Sequence, residues 1–105
     1  MKIRMGDIVD RLTITRLKVE HGLDLKDELK ILVSETCRVS KKFTDLLYKV
    51  NKIMWDIEVV AEKEKDLEKL GKLFKKQRIL NKKRIVIKNL INVSVKDSEE
   101  LKKFT

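Results

Sequence analysis

Two rows of polar residues in this chain have the spacing of one side of an α-helix, and their chemistry suits a binding site. The first row consists of Gln77, Asn81, Arg84, Lys88 and Asn92, and the second of Asn51, Trp55, Glu58 and Glu62. Residues three and four positions apart share one side of a helix. Arginine, lysine and amide groups donate hydrogen bonds to phosphates and carboxylates, and an indole ring offers a stacking surface.

These rows are compatible with two arrangements. In the first, Arg84, Lys88 and Arg11 donate hydrogen bonds to an anionic ligand in a polar pocket, and Trp55 forms its stacking wall. In the second, ion pairs between helices, such as Glu58 with Arg84, fix the register of the helices. The residues that we predict as candidate ligand-binding residues are Arg84, Lys88, Asn81, Gln77, Trp55, Asn51, Glu58 and Arg11.

A long heptad pattern in the middle of the chain predicts the element that carries the second row. Eleven positions between residues 25 and 60 follow each other at steps of four and three, and ten of them are apolar. This heptad seam consists of Leu25, Leu29, Leu32, Thr36, Val39, Phe43, Leu46, Val50, Ile53, Ile57 and Val60. Such a pattern is typical of coiled-coil-like packing, and a single long helix needs a partner to cover it.

The predicted fold is all-α, with three main helices in a single domain over residues 1–105. The chain has no proline and three glycines, which favours long helices. We predict helix one over about 6–21, helix two over about 25–63 and helix three over about 67–93, followed by a weakly patterned tail over 94–105. Helices two and three are expected to form a long antiparallel, coiled-coil-like hairpin, with helix one packed on it.

Three segments of the sequence carry a family resemblance. They are MGDIVDRLTITRLKVEH (5–21), VNKIMWDIE (50–58) and NKKRIVIKNLIN (81–92). In this order they resemble a family of small all-helical bacterial proteins of unknown function, whose members are often encoded near envelope-polysaccharide genes. The resemblance implies no particular activity. It does pick out members of the two polar rows, namely Asn51, Trp55, Glu58, Asn81, Arg84, Lys88 and Asn92.

The strong positive charge of helix three has two interpretations. The chain has a formal net charge of +9, and nine basic residues but no acidic ones occur from Lys69 to Lys88. At about 100° per residue these lysines and arginines surround the helix, which favours a solvated surface. A nucleic-acid surface is the alternative, because dense basic residues bind phosphates. Beyond Phe74 the helix offers no aromatic ring to stack on bases.

No catalytic, metal or cofactor site is predicted. The single histidine, His21, is expected to interact with the C-terminal end of helix one, and the single cysteine, Cys37, is expected to be a packing residue. The absence of a long apolar run predicts an intracellular protein without a membrane span, located in the cytoplasm, or in the host cytoplasm if the protein is viral.

Three functional classes remain open from the sequence. The one we favour is an interaction or structural protein that forms homo-oligomers through its long helices. The second is a binding module for an anionic ligand, either a nucleotide-like small molecule or nucleic acid. The third is a small helical enzyme that resembles helical chorismate mutases, with a cationic pocket built from Arg11, Arg84, Lys88 and Gln77. We expect a non-enzyme more than an enzyme.

Overall fold

Four α-helices make up the structure, a computed structural model that describes residues 4–103 and the side-chain surroundings of residues 4–96. They are α1 (Met5–Glu20), α2 (Lys26–Glu35), α3 (Lys41–Lys63) and α4 (Leu67–Lys103). No strand occurs within residues 4–103, so the predicted all-α class is confirmed. The prediction of three main helices is wrong, because the chain forms a fourth.

The end of α1 is set by Gly22. This glycine has a φ of +92°, a left-handed conformation that other residues rarely adopt. Its N–H bonds to the carbonyl of Val19, and the N–H of Leu23 bonds to the carbonyl of Lys18, both at 3.0 Å. These two bonds form a Schellman motif, which satisfies carbonyls in the last turn and reverses the chain toward α2.

The predicted continuous helix over 25–63 is interrupted at residues 36–40, which separate α2 from α3. Thr36 donates a hydrogen bond from its hydroxyl to the carbonyl of Leu32 at 2.8 Å, at the end of α2. The break contains Val39 and Ser40 as well as Thr36, and β-branched and hydroxyl side chains are weak helix formers. Because of the break, α2 packs against α1 and not against α4, whereas α3 packs against both α1 and α4.

The last helix, α4, is longer than predicted. Asp66 accepts hydrogen bonds from the backbone N–H groups of Glu68 at 2.9 Å and Lys69 at 3.4 Å, and so caps the start of the helix. The helix then continues to Lys103, through most of the segment predicted as a weakly patterned tail. No proline or glycine follows Gly71 to stop it. At 37 residues, α4 has a length of about 55 Å.

A small core joins three of the helices. Val9 of α1, Leu47 of α3 and Ile91 of α4 are fully buried in one cluster. Leu47 lies with Ile91, whereas Met54 contacts Gln77, so α3 and α4 run in opposite directions along each other. The first helix, α1, contacts all three others and therefore positions the polar rows. Within the described residues, none of the helices has the length and apolar character that crossing a membrane requires.

Candidate functional site

A buried polar cluster joins α1 to α3 beside this core. Asn51 is only 5% exposed, and both hydrogens of its side-chain amide are donated to α1. One goes to Oδ1 of Asp10 at 2.9 Å and the other to Oγ1 of Thr13 at 2.7 Å. The Thr13 hydroxyl in turn donates to the backbone carbonyl of Asp10 at 2.8 Å. Buried polar groups need such partners, and this network fixes the position of Asn51.

Arg84 of α4 approaches the same cluster from the other side. Its Nε lies 3.8 Å from Oδ1 of Asp10, which makes an ion pair but exceeds hydrogen-bond distance. Among the side chains of residues 4–96, the Nε of Arg84 is one of two buried polar atoms without a hydrogen-bond partner. The ion pair between Glu58 and Arg84 that the sequence suggested does not form in the described structure. Asp10 takes the place of Glu58.

Two further contacts fix α1 on α4. The amine of Lys88 lies 2.7 Å from Oδ1 of Asp7, and the backbone N–H of Gly6 donates to Oδ1 of Asn92 at 2.7 Å. A β-carbon at Gly6 would collide with the carbonyl oxygen of Lys88 and lie 2.9 Å from its carbonyl carbon. Glycine is therefore required here because the two helix backbones come close together. Lys88 and Asn92 thus have a structural role at this junction.

A groove of about 250 Å³ opens where α1, α3 and α4 meet. We call it the α1–α3–α4 groove. Its lining residues are Ile14, Leu17 and Lys18 from α1, Asn51, Met54, Trp55 and Glu58 from α3, and Arg84 from α4. Four of the eight predicted ligand-binding residues therefore line one groove. Lys18 of α1 also lines the groove. It belongs to neither polar row, and it was not among the predicted ligand-binding residues.

The remaining predicted residues have other surroundings. Gln77 donates from Nε2 to the backbone carbonyl of Met54 at 3.2 Å, which ties α4 to α3. Arg11 forms an ion pair with Glu28 of α2 at 3.0 Å and lines a different cavity, between α1 and α2. Asn81 is half-buried on α4 and does not line the groove. The predicted set is thus divided between the groove and the contacts between helices.

Side chains at the end of α1 support the groove from one side. The ring of His21 stacks on Trp55 with 4.7 Å between the centroids, and its Nδ1 donates to the carbonyl of Leu17 at 2.7 Å. Beside it, the hydroxyl of Tyr48 donates to Glu20 at 2.5 Å. That hydrogen bond, followed by burial and the negative charge of Glu20, raises the pKa of Tyr48. Of these side chains, His21 covers one face of the Trp55 ring.

Comparison of the chain with models of protein families, with curated proteins and with solved structures found no match.

The basic residues of α4 lie on its outside. Seven of these basic residues are exposed, and they are Lys69, Lys72, Lys75, Lys76, Arg78, Lys82 and Lys83. Within residues 4–96, no group of three or more His, Cys, Asp or Glu side chains could hold a metal ion.

A second surface lies on the other side of α3 and α4. Seven large apolar residues there are between 41% and 58% exposed. We call them the outer face, and they are Leu46, Ile53 and Val60 on α3 and Ile79, Val86, Leu90 and Val93 on α4. The residues on α3 belong to the heptad seam. The residues on α4 also follow heptad spacing, because positions 79, 83, 86, 90 and 93 are separated by steps of four and three.

The direction of the outer face follows from helix geometry. Trp55 of α3 and Lys88 of α4 both contact α1. At about 100° per residue, the outer-face residues lie about 140–180° around their helices from Trp55 and Lys88. Since α1 contacts α3 and α4 on one side, the outer face is on the opposite side of both helices. No described helix of the same chain covers it.

Proposed function

We propose that this protein is a helical interaction protein that forms a homodimer through the outer face of α3 and α4. The observation that carries the proposal is that both helices expose a heptad pattern on the same side of the molecule. An interface between two identical copies can pair one such surface with itself around a two-fold axis. Two copies would then form a four-helix arrangement with the apolar residues inside.

The size and chemistry of the outer face support this arrangement. The exposed residues extend over 15 positions of each helix, 46–60 on α3 and 79–93 on α4, which corresponds to about 21 Å. Contiguous apolar surface of this kind is uncommon on monomers and typical of interaction sites. Every exposed apolar residue in the face is aliphatic, as in the interior of helical bundles.

One position in the pattern differs from the others. Lys83 occupies the heptad position between Ile79 and Val86 and is exposed. A charged residue at a single heptad position lowers stability but can fix the register and the number of chains. We expect Lys83 to keep its ammonium group at the edge of the interface while its aliphatic part contacts the partner.

The proposal is tested by placing a charge in the outer face and measuring the mass of the protein in solution. Size-exclusion chromatography with light scattering would compare the wild type with Val60→Glu and Ile79→Glu. Both substitutions should produce a monomer, since burying an unpaired carboxylate in an apolar interface is costly. Circular dichroism should show unchanged helix content, because both side chains are exposed in the single chain.

Two neighbouring positions provide matched controls. Val59 and Val60 have similar exposed fractions, 43% and 50%. Val59, however, lies about 40° around α3 from Trp55, and so on the side of the helix that contacts α1. Ile85 is 47% exposed against 57% for Ile79, and it lies about 60° around α4 from Lys88. Val59→Glu and Ile85→Glu should remain dimeric. Equal dissociation of the control and test variants would contradict the assignment of this face.

A further inference from the structure

We propose that the α1–α3–α4 groove binds a small zwitterion that carries a carboxylate, a protonated amine and an apolar side chain, as a free amino acid does. The groove lies on the α1 side of α3 and α4, opposite the outer face. Binding in the groove is therefore independent of dimer formation. The proposal rests on three parts of the lining, which are its cations, its acceptors and its apolar wall.

The cations come from two different helices. Lys18 of α1 and Arg84 of α4 both line the groove. The ion pair with Asp10, at 3.8 Å, orients the Arg84 guanidinium, although Nε donates no hydrogen bond. A guanidinium has five N–H donors in a planar fork that matches a carboxylate. A ligand carboxylate in the groove would thus be paired with both Arg84 and Lys18.

The acceptors are Glu58 and Asn51. Because Asn51 donates both amide hydrogens to α1, its carbonyl oxygen is the part of the side chain that remains for a ligand, and it can only accept. Glu58 adds a carboxylate, which is also an acceptor. A protonated amine satisfies both groups. A ligand with negative charge alone would face repulsion from Glu58, so the lining favours a zwitterion over a phosphate.

The apolar wall and the size limit the rest of the ligand. Ile14, Leu17, Met54 and Trp55 line the groove, and His21 stacks on Trp55. Aliphatic and aromatic surfaces of this kind favour a ligand with an apolar or aromatic side chain. The volume of about 250 Å³ is smaller than the roughly 300–1,000 Å³ of pockets for drug-sized molecules. A ligand the size of an amino acid fits this limit.

Fluorescence of Trp55 tests the proposal, because it is the only tryptophan in the chain and lines the groove. The full chain would be titrated with L-phenylalanine, with hydrocinnamate, which lacks the amine, and with phenethylamine, which lacks the carboxylate. Phenylalanine should give a saturable change in emission. Each analogue should bind at least about ten-fold more weakly, since each loses at least one charge-assisted hydrogen bond.

Variants separate the two ends of the ligand. The side chains of Lys18 and Glu58 make no hydrogen bond or ion pair with other described residues, so we expect variants at these positions to fold. Glu58→Gln should weaken phenylalanine binding by about ten-fold but strengthen hydrocinnamate binding, because the repulsion from the Glu58 carboxylate is removed. Lys18→Ala should weaken binding of both. Lys52→Ala, exposed on α3 outside the groove, should change neither.

Three results would overturn the proposal. The first is the absence of a saturable fluorescence change with phenylalanine at millimolar concentration. The second is binding of hydrocinnamate as tight as that of phenylalanine, which would indicate a site for anions alone. The third is unchanged phenylalanine affinity in both Glu58→Gln and Lys18→Ala, which would place the bound molecule outside the groove.

Discussion

The side-chain amide of Asn51 donates a hydrogen bond to the carboxylate of Asp10 across 2.9 Å and thereby joins α3 to α1. The second amide hydrogen goes to Thr13, and Arg84 of α4 forms an ion pair with the same Asp10 carboxylate. Three helices thus meet at one buried acidic residue. The apolar core beside it is small, so these polar contacts contribute substantially to holding α1 in place.

Asn51→Ala should lower the free energy of unfolding by about 2–4 kcal/mol, because it leaves Asp10 without its hydrogen-bond donor in a buried site. The measurement is urea denaturation followed by far-UV circular dichroism at a fixed protein concentration. Lys52→Ala, at an exposed neighbour on the same helix, should change stability by less than about 0.5 kcal/mol. Similar losses in both variants would show that the Asn51 network has no special importance.

The two helical glycines Gly6 and Gly71 should respond to alanine in opposite directions. Gly6→Ala brings a β-carbon against the Lys88 carbonyl and should destabilise the protein by about 1–3 kcal/mol. Gly71 has no atom within 4 Å of the corresponding position, so Gly71→Ala should stabilise α4 by about 0.5–1 kcal/mol. Thermal unfolding of both variants checks this, and a stabilising Gly6→Ala would contradict the close approach of α1 to α4.

Tyr48 should titrate above its ordinary pKa, and its stabilising hydrogen bond should be lost at high pH. The bond that it donates to Glu20 is the largest cause of the raised pKa. Because the pKa is higher in the folded state, the contribution to stability is complete below the unfolded value of about 10 and disappears as the pH rises through the folded value.

The absorbance of tyrosinate measures this pKa directly, since Tyr48 is the only tyrosine. Glu20→Ala removes the acceptor and should shift the titration of Tyr48 down toward its ordinary range. Arg16, whose guanidinium lies 4.2 Å from the ring centre, acts in the opposite direction, so Arg16→Ala should shift it up. An unchanged titration in Glu20→Ala would show that the hydrogen bond is not formed in solution.

Added salt should strengthen self-association. Each copy has a formal net charge of +9, and two copies repel each other at long range. Raising the ionic strength shortens the screening length from about 30 Å at 0.01 M to about 8 Å at 0.15 M and reduces this repulsion. The dissociation constant from sedimentation should fall accordingly. Weaker association in salt would indicate that ion pairs, rather than apolar contacts, hold the copies together.

Part of this fold could be predicted from the sequence because local chemistry and periodicity agree. The predicted bounds of helix one, 6–21, differ by one residue at each end from those of α1, because Gly22 ends the helix in a left-handed conformation. The spacing of Asn51, Trp55, Glu58 and Arg84 also indicated residues that share a groove. Their assignment as ligand-binding residues remains a proposal.

Other features depended on contacts that a periodic pattern does not contain. The heptad seam continues in register through residues 36–40, so its period gave no indication of the break. At the break, the Thr36 hydroxyl bonds to the carbonyl of Leu32, and α2 packs on α1 instead of continuing in line with α3. Similarly, helical spacing placed Glu58 and Arg84 as partners, whereas Asp10 became the partner of Arg84 through the position of α1.

Sedimentation equilibrium of the unmodified chain, over a range from low to high micromolar concentration, tests the central claim most directly. The account predicts that the mass rises with concentration from 12.4 kDa toward twice that value and then stays constant, as for a closed two-fold dimer. A mass that remains at 12.4 kDa across the whole range would contradict self-association through the outer face.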